Sequence, residues 1–396
     1  MNKQDLTLLT DLYELTMMQG YYKKGQHETV VFDVFYRHNP CGNGYSVCAG
    51  LDQVIDYIKN LNFTYEDVDY LRSLHIFDDD FLQYLSGFHF TGDIYAIPEG
   101  SVVFPKEPLL KVIAPIMEAQ LVETTILNLI NHQSLIATKT SRVVYAADGD
   151  GIMEFGLRRA QGPDAGLYGA RAAIIGGCVG TSNVLAGQLF DVPVMGTHAH
   201  SWIMTFPDEY TAFKYYAELY PDNCTLLVDT YDTLKSGVPN AIRVFQEFKD
   251  AGKPLKKYGI RLDSGDLAYL SKKARKMLDE AGFPDASICA SNDLDEYLLH
   301  DLKAQGAAIN SWGVGTHLIT SKDCPSFGGV YKLSAIKNEN GEFIPKIKIS
   351  ENTEKITNPG NKTIYRIYEK ETGKIKADLI CFADETFDES QDLLLF

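Results

Sequence analysis

The chain has 396 residues, of which 45% are hydrophobic and 23% are charged, so it can bury a large core, and we expect two domains. Its 53 acidic and 37 basic residues give a formal net charge of −16, which argues against nucleic acid or an anionic membrane as the main partner. A local cluster of arginine, lysine and backbone N–H groups can still bind a small anion.

Targeting signals and disulfides are not expected. The amino terminus lacks the charged and then apolar pattern of a signal peptide, and no apolar run is long enough to span a bilayer. The seven cysteines are scattered and never form a Cys-x-x-Cys pair; they lie at positions 41, 48, 178, 224, 289, 324 and 381. We therefore expect reduced thiols in a cytoplasmic protein.

The first part of the chain mixes helical and extended patterns. Apolar residues recur at helical spacing within residues 6–22, and Thr10 or Asp11 is a candidate N-cap. Residues 29–37 have the composition of a strand, and a helix follows near Asp52–Leu61.

A discontinuous α+β domain is predicted from the two ends of the chain. Residues 88–114 alternate short apolar runs with glycine and proline, which indicates sheet without intervening helices. From about Gly328 the tail returns to extended patterns, at 330–336, 344–349 and 363–368. We predict one domain made of residues 1–117 joined by residues 328–396.

Residues 118–327 follow a different pattern. A long helical pattern at Glu118–Lys139 precedes short apolar runs that end in polar residues or glycine, at 152–156, 192–196, 225–230, 258–266, 287–293 and 308–316. Predicted helices lie between several of these runs, at 240–251, 267–281 and 293–305. The alternation favours parallel βα units, and polar strand ends suit a barrel with its active site at one face. A doubly wound open sheet is the alternative, although no Gly-x-Gly-x-x-Gly turn follows the first strand.

Two histidines, His198 and His200, lie two residues apart in the segment Gly196–Trp202. Three chemistries fit them: a metal pair, a general base and a nucleophile. A metal-dependent barrel hydrolase would need more ligands at later strand ends, and only His300 and His317 remain downstream. One functional and one packed histidine is the better interpretation.

Arg261 ends a predicted strand together with Asp263 and Asp266. A guanidinium can bind a planar carboxylate through two hydrogen bonds, which a lysine cannot do. Asp263 or Asp266 could bind a ribose diol or Mg²⁺. The alternative is a surface ion pair with a turn and a helix cap, but three ionisable groups at one strand end favour function.

Two more segments are candidates for binding anions. Gly313-Val314-Gly315-Thr316 follows a late strand, where barrels often bind phosphate; a tight turn is the alternative. Arg158 and Arg159 follow another strand and could attract pyrophosphate. Phe155 offers a flat face to an aromatic ring, with core packing equally possible. For Tyr13, core packing on an amphipathic helix is the stronger interpretation from the pattern alone.

Five motifs, at residues 10–17, 154–162, 196–202, 260–267 and 313–316, resemble in order and nearly in wording those of the nicotinate phosphoribosyltransferase family. The resemblance runs from about residue 6 to 335; the tail matches weakly and lacks the cysteine cluster that binds zinc in some members. It implies an irregular (β/α) barrel of the type II phosphoribosyltransferase kind beside the discontinuous α+β domain. It also implies ATP-coupled formation of nicotinate mononucleotide and pyrophosphate from nicotinate and 5-phosphoribosyl-1-pyrophosphate, the first step of NAD salvage from nicotinate.

The resemblance implies how nicotinate would be held. Tyr13 would stack on the ring, reaching across from the neighbouring subunit of a homodimer, and Phe155 would face the other side of the ring. Thr197 and Arg261 would hold the carboxylate. Gly196 and Asp263 complete the predicted set of substrate-binding residues.

The resemblance also implies the phosphate chemistry. Thr316, with the amides of Gly313 and Gly315, would hold the 5-phosphate, and Mg²⁺ with Arg158 or Arg159 would neutralise pyrophosphate. His200 matches the histidine that ATP phosphorylates, and His198 is given no role. A nicotinamide-using enzyme of the same fold is the main alternative, although the guanidinium suits a carboxylate better. A barrel hydrolase and a non-catalytic nucleotide sensor are less favoured.

Overall fold

Residues 5–386 are described in the computed structural model of the chain. The chain divides into two units, one formed by Met1–Ser134 with Ser326–Phe396 and the other by Leu135–Pro325. The predicted boundaries at 117/118 and 327/328 stay predictions, and the extreme ends of the predicted discontinuous domain, residues 1–4 and 387–396, lie outside the described residues.

The first unit begins with helix and sheet in alternation. Its elements before the first boundary are α1 Leu12–Lys24, β1 Thr29–Tyr36, β2 Ser46–Val47, α2 Leu51–Asn60, α3 Tyr65–Ser73, α4 Asp79–Leu85, β3 Asp93–Ala96, β4 Val102–Val103, β5 Leu110–Pro115 and α5 Ile116–Leu121. The boundary falls inside the long helix α6, Glu123–Ala146. Helices α1 and α2 and strand β1 lie where the pattern predicts them, whereas α3 and α4 occupy a stretch with no predicted element.

The second unit alternates strands and helices. In chain order its elements are β6 Gly151–Glu154, α7 Pro163–Ile175, β7 Gly180–Thr181, α8 Val184–Phe190, α9 His200–Met204, α10 Glu209–Leu219, β8 Cys224–Leu227, α11 Val238–Asp250, β9 Tyr258–Leu262, α12 Leu267–Glu280, β10 Ser287–Ala290, α13 Glu296–Ala304, β11 Ser311–Val314 and α14 Thr316–Ile319. The tail adds β12 Gly329–Lys337, β13 Phe343–Pro345, β14 Lys362–Tyr368 and β15 Ile375–Phe382 to the first unit.

Strand β1 lies at the centre of the antiparallel sheet of the first unit, whose strand order is β13-β12-β1-β5-β3. It pairs with β5 on one side and with β12 of the tail on the other, where Val30 lies opposite Ile336. Tyr331 of β12 is buried and stacks on Phe32 with ring centroids 4.6 Å apart. The central strand is therefore completed only by residues from the far end of the chain.

The second unit contains a six-stranded parallel sheet with the order β7-β6-β11-β10-β9-β8. Placed around a ring, the strands follow one another in chain order from β6 to β11, because β11 pairs with β6. Among the described strands of this ring, the only neighbours that do not pair are β7 and β8. A doubly wound sheet reverses its strand order at a switch point instead. The predicted α/β barrel is therefore confirmed in an open form, as a curled half-barrel.

The predicted buried strand at residues 192–196 is wrong. Only a single bridge forms there, between Val194 and Thr181, and Val194 is 50% exposed. Pro193 has no N–H to donate, so this stretch cannot extend a regular ladder. Strands β7 and β15, by contrast, form where none is predicted.

Free thiols and no membrane span are predicted from the sequence. All seven cysteines lie within the described residues and are free. Burial raises the pKa of the Cys48 and Cys224 thiols to about 12, which keeps them protonated. Across residues 5–386, the structure contains no helix with the length and apolar character required to cross a bilayer.

A buried ion pair joins the tail hairpin to the central strand of the first unit. The Lys362 Nζ atom lies 2.7 Å from Asp33 Oδ2, and both side chains are buried. Burial raises the pKa of Asp33, and the adjacent Lys362 ammonium opposes this rise. Lys111 Nζ donates to the backbone oxygen of Lys362 and to Asn361 Oδ1, each at 2.8 Å. The charges are thus held by hydrogen bonds from several parts of the chain.

Lys362→Ala should lower the free energy of unfolding by about 3–5 kcal/mol, because it leaves the Asp33 carboxylate buried without its cation. The double variant Lys362→Met with Asp33→Leu removes both charges and should recover most of this loss. Urea unfolding followed by circular dichroism measures both effects. The control is Lys374→Ala, an exposed lysine of the same hairpin; a Lys362→Ala loss no larger than that of the control contradicts the prediction.

Candidate active site

Polar side chains of the second unit converge where its parallel strands end. Strand ends and the loops after them contribute Glu154, Thr181, Asp229, Arg261, Asp263, Ser264, Ser291 and Thr316, and the segment between β7 and β8 contributes Thr197 and His200. The carboxyl ends of the strands are where barrels of this type place their chemistry. We therefore take this edge as the candidate active site.

Arg261 is held by three neighbours. Its Nη1 donates to Thr197 Oγ1 at 2.9 Å, its Nη2 to Asp263 Oδ1 at 2.9 Å, and its Nε to Ser291 Oγ at 2.8 Å. Ser291 Oγ in turn donates to Asp263 Oδ1. A guanidinium has five N–H donors, so two of them stay available to a ligand while the other three fix the plane.

Asp229 links two strand ends to the histidine segment. One carboxylate oxygen, Oδ2, accepts the Asp263 N–H at 2.8 Å and the Ser264 hydroxyl at 2.6 Å. The other, Oδ1, lies 3.3 Å from His200 Nε2. The Asp229 side chain is only 1% exposed, whereas that of His200 is 39% exposed. His200 can therefore meet a ligand from solvent while a buried carboxylate fixes its ring.

His198 has a different environment from His200. Its Nε2 accepts the Leu227 N–H at 3.2 Å, and its ring packs edge-on against Tyr216 with centroids 4.6 Å apart. Burial lowers the pKa of His198 to about 4, so the ring stays neutral at physiological pH. The two rings therefore differ in surroundings and in the use of their nitrogen atoms.

The ring of Phe155 lies over a glycine. An added Cβ on Gly313 would come within 2.5 Å of the Phe155 ring, so only glycine leaves the ring in this position. The Phe155 N–H donates to the Val314 carbonyl at 2.8 Å, which joins the ends of β6 and β11. The Arg261 Cζ atom lies 5.9 Å from the ring centroid. An aromatic face and a guanidinium thus border the same space.

The remaining predicted residues have varied positions. Gly315 is the N-cap residue of α14, and Thr316 is its first residue. Gly196 is exposed, and Arg158 is exposed on the short turn of 3₁₀ helix Leu157–Arg159. Tyr13 belongs to the other unit, on α1, where it is 45% exposed. The structure thus brings together Phe155, Thr197, His200, Arg261 and Asp263 by direct contacts or through Asp229.

Several residues of the site are not singled out from the sequence. Asp229 and Ser291 are the first polar residues after β8 and β10, a signal that the strand pattern contains. Glu154 ends β6; one of its oxygens accepts the Gly156 N–H and the other accepts the Thr181 hydroxyl at 2.6 Å. Burial raises the pKa of Glu154. Since Glu154 is fully buried, its contacts position the start of the Phe155 loop.

A cavity of about 460 Å³ lies towards the opposite ends of the strands. Its lining includes Lys256, Tyr258, Ser287 and Ser311, and it reaches Gly196 and Thr197. The converging hydrogen bonds lie at the carboxyl ends, so volume alone does not identify the chemical site.

Two family sequence models match the chain. The model of the nicotinate phosphoribosyltransferase (NAPRTase) N-terminal domain matches residues 8–131, and that of the NAPRTase family matches residues 151–372. The protein named nicotinate phosphoribosyltransferase from Bacillus subtilis (strain 168) is 52% identical over 392 residues, which cover 99% of this chain and 79% of that protein. The Homo sapiens protein of that name is 34% identical over 436 residues, covering 96% and 80%.

Solved structures are similar over most of the chain. The crystal structure of human nicotinic acid phosphoribosyltransferase has a TM-score of 0.82 at 31% identity, and the match covers 96% of this chain and 82% of that one. The nicotinate-nucleotide pyrophosphorylase from Pyrococcus furiosus has a TM-score of 0.75 at 23% identity, covering 98% and 86%. The second likeness shows a shared fold.

Proposed function

The chain belongs to the nicotinate phosphoribosyltransferase family, and we propose from this premise that it joins nicotinate to 5-phosphoribosyl-1-pyrophosphate. The products are nicotinate mononucleotide and pyrophosphate, which makes this the first step of NAD salvage from nicotinate. The observation that supports the assignment most directly is the Arg261 guanidinium, held beside Thr197 and the ring of Phe155. The free cysteines suit a reducing compartment, the cytoplasm.

The nicotinate end of the site is built around Arg261. Two of its N–H donors are not used by Thr197, Asp263 or Ser291, and a carboxylate can accept both. Phe155 supplies a flat apolar face for the pyridine ring. The carboxylate of nicotinate matches this geometry better than the amide of nicotinamide, since an amide nitrogen cannot accept a hydrogen bond.

The phosphoribosyl end uses the last residues of β11, the turn into α14 and nearby cations. Thr316, with the amides of Gly313 and Gly315, holds the 5-phosphate, and Arg158 approaches the pyrophosphate from solvent. Mg²⁺ prefers oxygen ligands and is often shared between one or two carboxylates and substrate phosphates. Asp263 uses one oxygen, Oδ1, for Arg261 and Ser291, and its side chain is 29% exposed, so the other oxygen would hold the ion. Bound there, Mg²⁺ would neutralise charge on the leaving pyrophosphate.

The reaction depends on the positioning of the two substrates more than on proton transfer. The ring nitrogen of nicotinate forms a bond to the anomeric carbon, and the bond from that carbon to pyrophosphate breaks. No proton is gained or lost at the ring nitrogen. Arg261 and Phe155 fix the attacking nitrogen, and the phosphate loop fixes the sugar, so the bimolecular step becomes effectively unimolecular.

His200 accepts a phosphoryl group from ATP in this proposal. The Asp229 carboxylate lies 3.3 Å from Nε2, so an N–H group at Nε2 can donate a hydrogen bond to it. In that tautomer Nδ1 has no proton, and its lone pair is the nucleophile. Nδ1 bonds to the γ-phosphorus of ATP while the bond to the bridging oxygen breaks, and ADP leaves. Water later cleaves the N–P bond and releases phosphate. The added charge beside Asp229 and Arg261 would change substrate affinity between the two states, which couples ATP use to synthesis.

A homodimer with shared sites completes the proposal. Helix α1 and the residues before it expose large apolar side chains, namely Leu9, Leu12, Tyr13 and Met17. The second unit exposes another set, Val179, Val184, Leu185, Leu189 and Val194. Contiguous exposed apolar residues mark interaction surfaces. Tyr13 of a second copy would then stack on the nicotinate ring opposite Phe155.

Arg261→Lys should raise the KM for nicotinate about 10- to 100-fold, the cost of a lost hydrogen bond to a charged group. Steady-state rates with nicotinate and with nicotinamide measure the effect, with Arg243→Lys on the exposed face of α11 as the control. Wild-type protein should use nicotinate in strong preference. Equal turnover of the two substrates would falsify the carboxylate assignment.

His200→Ala should abolish labelling of the protein by ATP carrying radioactive γ-phosphate, and ATP hydrolysis should no longer accompany synthesis. Phosphopeptide mapping under alkaline conditions locates the modified residue. His300→Ala is the matched control, since that ring lies exposed on α13. Continued coupling of ATP hydrolysis to product formation by His200→Ala would exclude the phosphohistidine.

At a nicotinate concentration too low for either variant alone to turn over measurably, mixing Tyr13→Ala and Arg261→Ala chains should restore about a quarter of wild-type activity. Random re-association makes half of the dimers hybrids, and each hybrid has one intact site. Activity is assayed after partial denaturation and refolding of the mixture, and sedimentation velocity gives the assembly state. Each variant refolded alone is the control. A monomeric wild-type protein, or no recovery on mixing, contradicts the shared site.

A further inference from the structure

Glu14 is a buried carboxyl group that no step of the proposed reaction uses. It lies on α1 directly after Tyr13, and its residue is 0% exposed. Its Oε1 accepts the Thr124 N–H at 3.0 Å and the Thr124 hydroxyl at 2.8 Å. Its other oxygen, Oε2, accepts the Thr10 hydroxyl. Both oxygens are therefore occupied by donors from two separate segments.

These contacts join the first turns of two helices. Thr124 lies in the first turn of α6, where backbone N–H groups have no partner within the helix, and Glu14 supplies an acceptor from outside it. The Thr125 hydroxyl donates to the Leu9 carbonyl at 2.5 Å. The Thr124 hydroxyl also lies 2.9 Å from Asp11 Oδ2, so its single proton is shared between Asp11 and Glu14. The residues before and at the start of α1 are thereby fixed on α6.

Tyr13 shares this attachment. Its hydroxyl interacts with the side chains of Glu123 and Thr124, both of which influence its pKa, while 45% of the residue stays exposed. Thr124 is thus a common partner of Glu14 and Tyr13. The hydroxyl end of Tyr13 is anchored to the start of α6, and that start is in turn held by Glu14. An exposed ring that must stack on a substrate loses less freedom on binding when it is held in this way.

We propose that Glu14 is a positioning residue for Tyr13, which it holds through Thr124 in the orientation that meets nicotinate. This inference rests on the proposed function, in which Tyr13 stacks on the nicotinate ring. The role belongs to the hydrogen-bonding geometry of Glu14 rather than to its charge. Glutamine keeps an acceptor oxygen for Thr124 and places an amide group beside Thr10, so it should preserve the contact, whereas alanine removes it.

The charged surroundings of Glu14 agree with a role that does not need its negative charge. The titratable and charged groups that face it are Asp11, Tyr13, Glu123, Tyr57, Tyr331 and Lys332. Burial is the main cause that raises the pKa of Glu14 to about 7. A raised pKa in the folded state means that stability from this group is present at low pH and is lost as the pH rises through 7. Glu14→Gln should therefore unfold at a higher temperature than wild type at pH 8, with a smaller difference at pH 5.

The test compares Glu14→Ala, Glu14→Gln and Tyr13→Ala by steady-state kinetics. Glu14→Ala should raise the KM for nicotinate about tenfold, which corresponds to about 1.4 kcal/mol, and leave the KM for 5-phosphoribosyl-1-pyrophosphate unchanged. Glu14→Gln should restore the KM for nicotinate to within about twofold of wild type. Glu66→Ala, an exposed acid in the first turn of α3, is the control and should change neither constant.

The outcomes separate the inference from the function on which it rests. A raised KM for nicotinate in Tyr13→Ala with an unchanged one in Glu14→Ala overturns the positioning role alone. An unchanged KM in Tyr13→Ala overturns the stacking role of Tyr13 and the inference with it. Should Glu14→Ala fail to fold, Thr124→Val removes the shared hydroxyl while keeping the backbone N–H. That variant should also raise the KM for nicotinate selectively; equal increases in both KM values would indicate a merely structural role.

Discussion

The missing pairing between β7 and β8 is the constraint on which the candidate site depends. An unpaired sheet edge leaves backbone N–H and C=O groups that need partners. On the β8 side, the Leu227 N–H is satisfied by the ring of His198 instead of by a strand carbonyl. On the β7 side, Thr181 bonds the backbone on both sides of Val194. The segment between these attachments is therefore fixed without becoming a strand, and His200 follows it at the rim of the half-barrel.

Environment, more than residue type, separates the two histidines of that segment. His198 can accept the Leu227 N–H only while its ring is neutral, and burial keeps it so. His200 instead faces the buried carboxylate of Asp229, which also holds the end of β9 through the Asp263 N–H. Asp229 thus fixes both the orientation of the His200 ring and the position of the end of β9, the strand that carries Arg261. A change in charge at His200 would therefore alter the electrostatic environment of Arg261 through the hydrogen bonds of Asp229 and Asp263.

The sequence was most informative where a local pattern determines the structure. Apolar runs with polar ends predict the strands that carry Phe155 and Arg261, because side-chain periodicity follows from backbone geometry. The run at 192–196 was mispredicted because its apolar composition does not show that it pairs with β7 at a single residue, beside a proline that has no N–H to donate. Asp229 could not be distinguished from an ordinary turn aspartate, since its role depends on His200 lying opposite it in three dimensions. Helical spacing likewise could not decide whether Tyr13 faces the core, and the structure shows it to be 45% exposed.

The pairing of Val30 with Ile336 at the centre of the first sheet also constrains the order of events during synthesis. The second unit is one continuous stretch, Leu135–Pro325, and its strands pair with near neighbours along the chain, apart from the closing pair of β6 and β11. It can therefore fold as soon as it leaves the ribosome. Strand β1 is made first but gains its second neighbour only when β12 emerges, so one edge of it stays open for most of translation. Nascent chains should consequently depend on chaperones most strongly in this interval, when a long apolar strand is exposed.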